Sequence, residues 1–269
     1  MTAKGMKFNA ERTTQKLIEW IRNWFEKNGK DCNCVVGISG GKDSSVVAAL
    51  CCEALGKDRV IGVLMPNGRQ DDIDCSFKLI NHLDIKYVIA NISSIYEKCL
   101  EEIYLHDLSY TREINPIVWS EQTKINLPPR IRMSMLYAIS QSLNGRVSNN
   151  CNLSEDYVGY STRYGDSVGD FSLLSQLTTD EVVAIGNELG LPDELVNKIP
   201  SDGLCGKTDE DNLGFTYEVL NKYIREGICE DEEIKKKIDS LHKKNMFKLM
   251  PMPSFFVSID CFDEIAYDK

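Results

Sequence analysis

Ser39-Gly40-Gly41-Lys42-Asp43-Ser44 places two hydroxyls, two glycines, a cation and a carboxylate directly after the apolar run Val35-Val36-Gly37-Ile38. A glycine-rich turn that leaves a buried strand and opens a helix aims consecutive backbone N–H groups at one point, and the helix dipole adds positive potential there. Phosphate oxygens fit such a cradle. The spacing is not that of a Walker A loop: Gly37 to Lys42 is one residue too short, and Asp43 stands where Ser or Thr should follow the lysine. The stretch therefore reads as a different kind of phosphate loop.

Such a loop needs a strand before it, a helix after it and neighbours to bury both. "CVVGI" at 34–38, "VIGVLM" at 60–65 and "KYVIA" at 86–90 are short β-branched runs of the kind that form buried strands. Residues 45–56, 70–83 and 92–104 fill the gaps at crossover length, which predicts an α/β fold: a doubly wound parallel sheet with helices on both faces. Leu17, Ile18, Ile21, Trp24 and Phe25 recur at helical spacing before Gly29, so an amphipathic helix over 10–28 opens the chain. A helix over 128–144 leads to a weak strand at Arg146–Ser148, and the Gly-, Ser-, Asp- and Tyr-rich stretch that runs on to 180 reads as a long structured loop. Helices are predicted again over 178–190, 209–225 and 230–244. No repeat or low-complexity linker divides the 269 residues, which read as one domain.

Composition narrows the possibilities. A net charge of -10 argues against general nucleic-acid binding, which needs an extended basic surface, so any anionic ligand must meet local positive charge. No apolar run reaches membrane-helix length and the N-terminal "MTAKGMKFNAERTT" lacks a signal-peptide core, which predicts a cytoplasmic protein without membrane partners. The ten cysteines form no CxxC pair and read as buried thiols.

"SGGKDS" resembles the pyrophosphate-loop signature of the N-type ATP pyrophosphatases, which cut ATP between its α and β phosphates. In that setting the Ser39 and Ser44 hydroxyls donate to pyrophosphate, Gly40 and Gly41 let the main chain approach, and Asp43 ligates magnesium, a hard cation that prefers oxygen. "NCNLSEDYVGYSTRYGDSVGD" (Asn150 to Asp170) is similar to the central segment of the ammonia-dependent NAD synthetases. "MPNGRQDDIDC" (65–75), "NLPPRIRM" (126–133), "IPSDGLCGKTDEDNLGFTY" (199–217) and "HKK" (242–244) resemble further segments of that family, in its order.

The resemblance implies an adenine nucleotide alpha-hydrolase-like fold, and a ligase that turns deamido-NAD, ATP and ammonia into NAD, AMP and pyrophosphate through an adenylate. By position it places ATP on Gly37, Ile38, Ser39, Gly40, Gly41, Lys42, Asp43, Ser44, Asn150, Thr179 and Ser201. Deamido-NAD falls on Arg130, Arg163, Asp170, His242 and Lys243. Magnesium falls between Asp43 and Glu155, with Asp43 and Asp170 in catalytic roles; Asp170 receives ammonium or serves structurally. It also implies a homodimer, and no glutaminase domain fits beside the core.

Plainer roles compete for some of these positions. The "HKK" lysines close a helix that opens with "EDEE", as dipole complementarity alone requires, and Thr208 reads as an N-cap. Arg130 and Arg132 could be exposed helix charges. The tail "LMPMPSFF" reads as a cover for apolar surface.

Three positions depart from the family pattern: Asn150 replaces Thr, Arg163 replaces Lys, and Thr179 stands where a lysine commonly reaches the ATP phosphates. A lost charge-assisted bond of that kind costs on the order of 1.5–3 kcal/mol unless another cation substitutes; Lys207 and Lys42 are the candidates. Beside the active ligase stand two alternatives, a nucleotide-binding relative without turnover and another pyrophosphate-loop ligase.

Overall fold

β1 (Asn33–Gly37) carries Cys34 and Val36 on one face and Val35 on the other, all inaccessible to solvent, so the strand is covered on both sides. The structure is a computed structural model that describes residues 7–105, 119–198, 208–258 and 261. β1 pairs in parallel with β2 (Val60–Leu64) and with β4 (Gly145–Asn149), β2 pairs with β3 (Lys86–Ile89), and β4 pairs with β5 (Phe171–Ser172). The resulting five-stranded order is β3-β2-β1-β4-β5. Strand order reverses between β1 and β4. At such a switch point the loops leaving the two strands diverge, and an open crevice forms at their carboxyl ends.

Helices cover the two faces. α1 (Ala10–Asn28), α2 (Lys42–Leu55), α7 (Thr179–Glu188) and the short α8 (Asp193–Val196) build the larger core around Ile21, Phe25, Val46, Leu50, Ile185 and Leu195. α5 (Glu121–Ser142) packs Leu136, Met133 and Ile139 on the opposite face against Val35, Val63 and Val147. α3 (Ile73–Leu83) and α4 (Ser93–Leu105) complete the crossovers. A separate cluster joins α6 (Leu153–Val158), α9 (Asp209–Leu213), α10 (Tyr217–Glu226) and α11 (Glu232–Asn245) through Val158, Leu213, Leu220 and Ile238.

The differences from the sequence-based expectations have local causes. α5 starts at Glu121 rather than 128, because Ser120 caps it through a 3.1 Å bond from Thr123 N and the helix runs through Pro128 and Pro129. The expected loop up to 180 holds α6 and β5. The expected helix over 209–225 breaks at Gly214, whose φ of 75° ends α9 before Thr216 caps α10. Among the described cysteines only Cys32, Cys34, Cys51 and Cys151 are buried, and Cys261 is exposed. The described part of the tail lies open rather than over apolar surface: Met252, Phe255 and Phe256 are each more than three-quarters exposed. Among the described residues no helix is long and apolar enough to cross a membrane.

Candidate functional site

The loop after β1 is held in shape by its own polar groups. Ser39 N donates to Ser44 Oγ (3.3 Å), the two serine hydroxyls lie 3.1 Å apart, and Ser45 Oγ donates to Gly41 O (2.8 Å). Gly40 turns with φ 77°, and a Cβ there would fall 2.9 Å from Ser76 N of α3, so this turn requires a residue without a side chain. α2 begins at Lys42, three residues earlier than expected, which puts Asp43 and Ser44 in its first turn, where the orphan N–H groups of a helix point outward.

The carboxyl end of β4 supplies the opposite wall. Asn150 Nδ2 donates to Gly37 O (3.0 Å) and its Oδ1 accepts from Ser148 (2.8 Å), so this side chain pins the ends of β1 and β4 together. Asn152, fully buried, donates to Asp43 Oδ1 (3.0 Å) while its own oxygen accepts Glu155 N (3.1 Å). One amide thus caps α6 and orients Asp43. Sequence reasoning missed Asn152, although "NLSE" is a capping-box pattern.

Asp43 Oδ2 accepts from Lys42 Nζ at 3.0 Å, a cation that is itself buried. Burial, then the charge of Asp43, push the Glu155 carboxyl well above the usual carboxylate range, against the pull of Lys42. Two acids that repel within a low-dielectric pocket favour a cation between them. Hard oxygen donors limited to two carboxylates suit magnesium, which keeps waters and substrate phosphates in its remaining positions. No cluster of three or more His, Cys, Asp or Glu suited to a metal occurs among the described residues.

Thr179 opens α7 nearby. Its N–H donates to Ser154 Oγ (3.1 Å), which in turn donates to Asn221 (2.6 Å). The Thr179 side chain lines a cavity of about 310 Å³ together with Lys42, Lys198 and Tyr217. Tyr217 OH donates to Asp209 at 3.3 Å, and Asp209 adds to the negative charge felt by Glu155 and Lys42. Ser201 and Lys207 lie outside the described residues.

The residues assigned to the second nucleotide form a different neighbourhood. Arg130 Nε donates to Arg163 O (3.2 Å), and the Arg163 guanidinium lies 4.9 Å from the Tyr164 ring centroid and 5.2 Å from that of Phe247. His242 stacks on Tyr157 at 4.0 Å and its Nδ1 lies 2.8 Å from Tyr157 O, while Lys243 is exposed on the same helix. A carbonyl partner makes Nδ1 the protonated nitrogen and leaves Nε2 free to accept. Asp170 stands apart: Oδ2 accepts Val147 N (2.7 Å), Oδ1 accepts Tyr137 OH (3.2 Å), and Asp170 N donates to Val147 O (2.8 Å). Both its oxygens are engaged by protein groups that join β4 to β5 and α5.

The profile of the NAD synthase family matches residues 13–254. An NH(3)-dependent NAD(+) synthetase of Methanococcus aeolicus is 41% identical over 80% of this chain and 82% of its own length. One of Carboxydothermus hydrogenoformans is 33% identical over 90% of this chain and 98% of its own. Among solved structures, NMN synthetase from Francisella tularensis superposes with a TM-score of 0.81 at 28% identity, covering 92% of this chain and 99% of that one. The NH3-dependent NAD synthetase from Campylobacter jejuni gives 0.71 at 27%, covering 93% and 100%.

Proposed function

The chain belongs to the NAD synthase family, and we infer that it is an ammonia-dependent NAD synthetase, joining ammonia to deamido-NAD at the expense of ATP and releasing AMP and pyrophosphate. The observation that carries this reading to the residues is the convergence, at the β1–β4 switch point, of a self-braced phosphate loop with two carboxylates from distant parts of the chain.

The chemistry takes two displacements. An oxygen of the nicotinate carboxylate attacks the α-phosphorus, forming a C–O–P bond while the bond to the β-phosphate breaks and pyrophosphate leaves. The lone pair of ammonia then attacks the acyl carbon; AMP departs with the C–O electron pair, and the nitrogen gives up a proton. In both steps the protein positions groups and stabilises charge, and needs no covalent intermediate. The 37–44 loop holds the departing phosphates through backbone N–H groups, Ser39 and Ser44. Asp43 and Glu155 would hold magnesium, which when bound supplies the charge that neutralises the phosphate oxygens. Arg130 and Arg163, adjacent on the surface, supply the cationic face for the second nucleotide, and His242 offers Nε2 as an acceptor. Asp170 is proposed to fix β4 against β5 and, through the lone pairs left on its two oxygens, to receive ammonium. The proposed assembly is a homodimer in the cytoplasm.

The higher TM-score, 0.81 against 0.71, on a protein named NMN synthetase favours a second reading, in which the same site amidates nicotinate mononucleotide. Incubation with MgATP and ammonium tests both. The expected result is AMP and pyrophosphate in equal amounts with NAD, at a higher kcat/KM for deamido-NAD than for nicotinate mononucleotide. The reverse preference establishes the second reading, and ATP binding without AMP formation from either nucleotide refutes both.

A further inference from the structure

The cavity beside the loop is lined by two ammonium groups that are tethered very differently. Lys42 is 4% exposed, bonds Asp43 at 3.0 Å and stands 5.9 Å from the Tyr217 ring centroid, so its charge is committed to the carboxylate pair. Lys198, which follows α8, reaches back to Asp72 before α3. That pair is open to water, with side chains 22% and 45% exposed, and ion pairs so placed hold weakly. Asp72 also has a second partner, Gln70 Nε2 at 2.9 Å, which remains if the lysine leaves.

The rest of the wall suits an anion. α7 starts at Thr179, so the positive end of a ten-residue helix meets this space. Thr179 lines this space, and its Oγ1, shielded just behind the wall, has no hydrogen-bond partner among the described residues, so a turn of the side chain brings an unpaired donor to the cavity. Among the described residues the one acid in the lining, Glu210, is turned to α10, where it accepts Tyr217 N at 2.8 Å.

We propose that Lys198 is a phosphate-binding residue: it exchanges Asp72 for the β and γ phosphates of ATP, and afterwards for the released pyrophosphate, with Thr179 Oγ1 as a second donor. The inference rests on the ATP-cleaving reading given above. It provides, from the end of α8, the cation that the resemblance leads one to expect at position 179, and does so with neither Lys42 nor Lys207.

Two variants in the full chain test it. Lys198→Met keeps the apolar stem and removes the charge, whereas Asp72→Asn breaks the ion pair and leaves the lysine. With Lys198→Met the KM for MgATP rises by about tenfold, as loss of one charge-assisted bond to phosphate requires, and the KM for deamido-NAD stays within about twofold. Titration of inorganic pyrophosphate with magnesium shows the same weakening. Asp72→Asn keeps or tightens both. Wild-type behaviour of Lys198→Met overturns the proposal, as does an equal defect in Asp72→Asn, which makes the pair merely structural. If the wild type amidates neither nucleotide the functional reading falls, while the pyrophosphate titration still decides the role of Lys198.

Discussion

Glu155 states the site's main energetic conflict in one side chain. Its carboxyl is raised by burial and by Asp43, so the folded protein penalises its ionised form. The sign follows from linkage: above the raised folded value the penalty is fully present, and as pH falls below it the penalty is relieved, vanishing below the ordinary carboxylate value. Glu155→Gln without divalent cation should therefore melt higher than wild type at pH 8, by about 2–4 °C for each kcal/mol recovered. Melting curves taken from pH 8 down to pH 5 should show that advantage shrinking. The same variant should lose on the order of a hundredfold or more in kcat/KM if the proposed magnesium site is in use, since a cation bound by one carboxylate is poorly held. A variant that melts lower at pH 8, or that keeps full turnover, contradicts this account of the pair.

At the scale of elements, the turn from β1 into α2 depends on its contact with α3. Gly40→Ala places a methyl 2.9 Å from a backbone nitrogen at a φ of 77°, a strain of about 1–3 kcal/mol. The expected outcome is a lower denaturant midpoint with an unchanged slope, and an elevated KM for MgATP; an unchanged midpoint contradicts the packing described. The framework was readable in the sequence to within about a residue: strands expected at 34–38, 60–65 and 86–90 lie at 33–37, 60–64 and 86–89. Strands buried on both faces are written as continuous β-branched runs, which few other structures imitate. The elements that were missed lack such a signature. β5 has two residues, α6 six, and the first turns of α5 precede two prolines that ordinarily mark a helix start. The site divides likewise. The loop was legible because its residues are consecutive, and Glu155 came only through resemblance, since nothing local in "NLSE" points at Asp43. Lys198 was illegible, because its neighbours Asp72 and Thr179 come from other elements and only the folded chain joins them.

The whole molecule carries a charge of -10 and is inferred to take up a tetra-anionic nucleotide, so its response to ligand should depend on the accompanying cation. A ligand that binds only the native state adds RT ln(1 + [L]/Kd), about 2.7 kcal/mol at a hundredfold excess over Kd. For a chain of this size that is a rise in Tm of roughly 5–10 °C with MgATP. Chelation of the metal should remove most of the increment, and in Glu155→Gln adding magnesium should contribute little; an equal rise with metal-free ATP argues against a metal between the two acids. Asn152 carries a consequence of another kind. The amide that closes the first turn of α6 also steadies Asp43, so loss of that turn and misalignment of the proposed metal ligand are a single event. Heat inactivation should then begin well below the global melting point, keeping pace with hydrogen exchange at the Glu155 amide: the enzyme's thermal fuse is one six-residue helix.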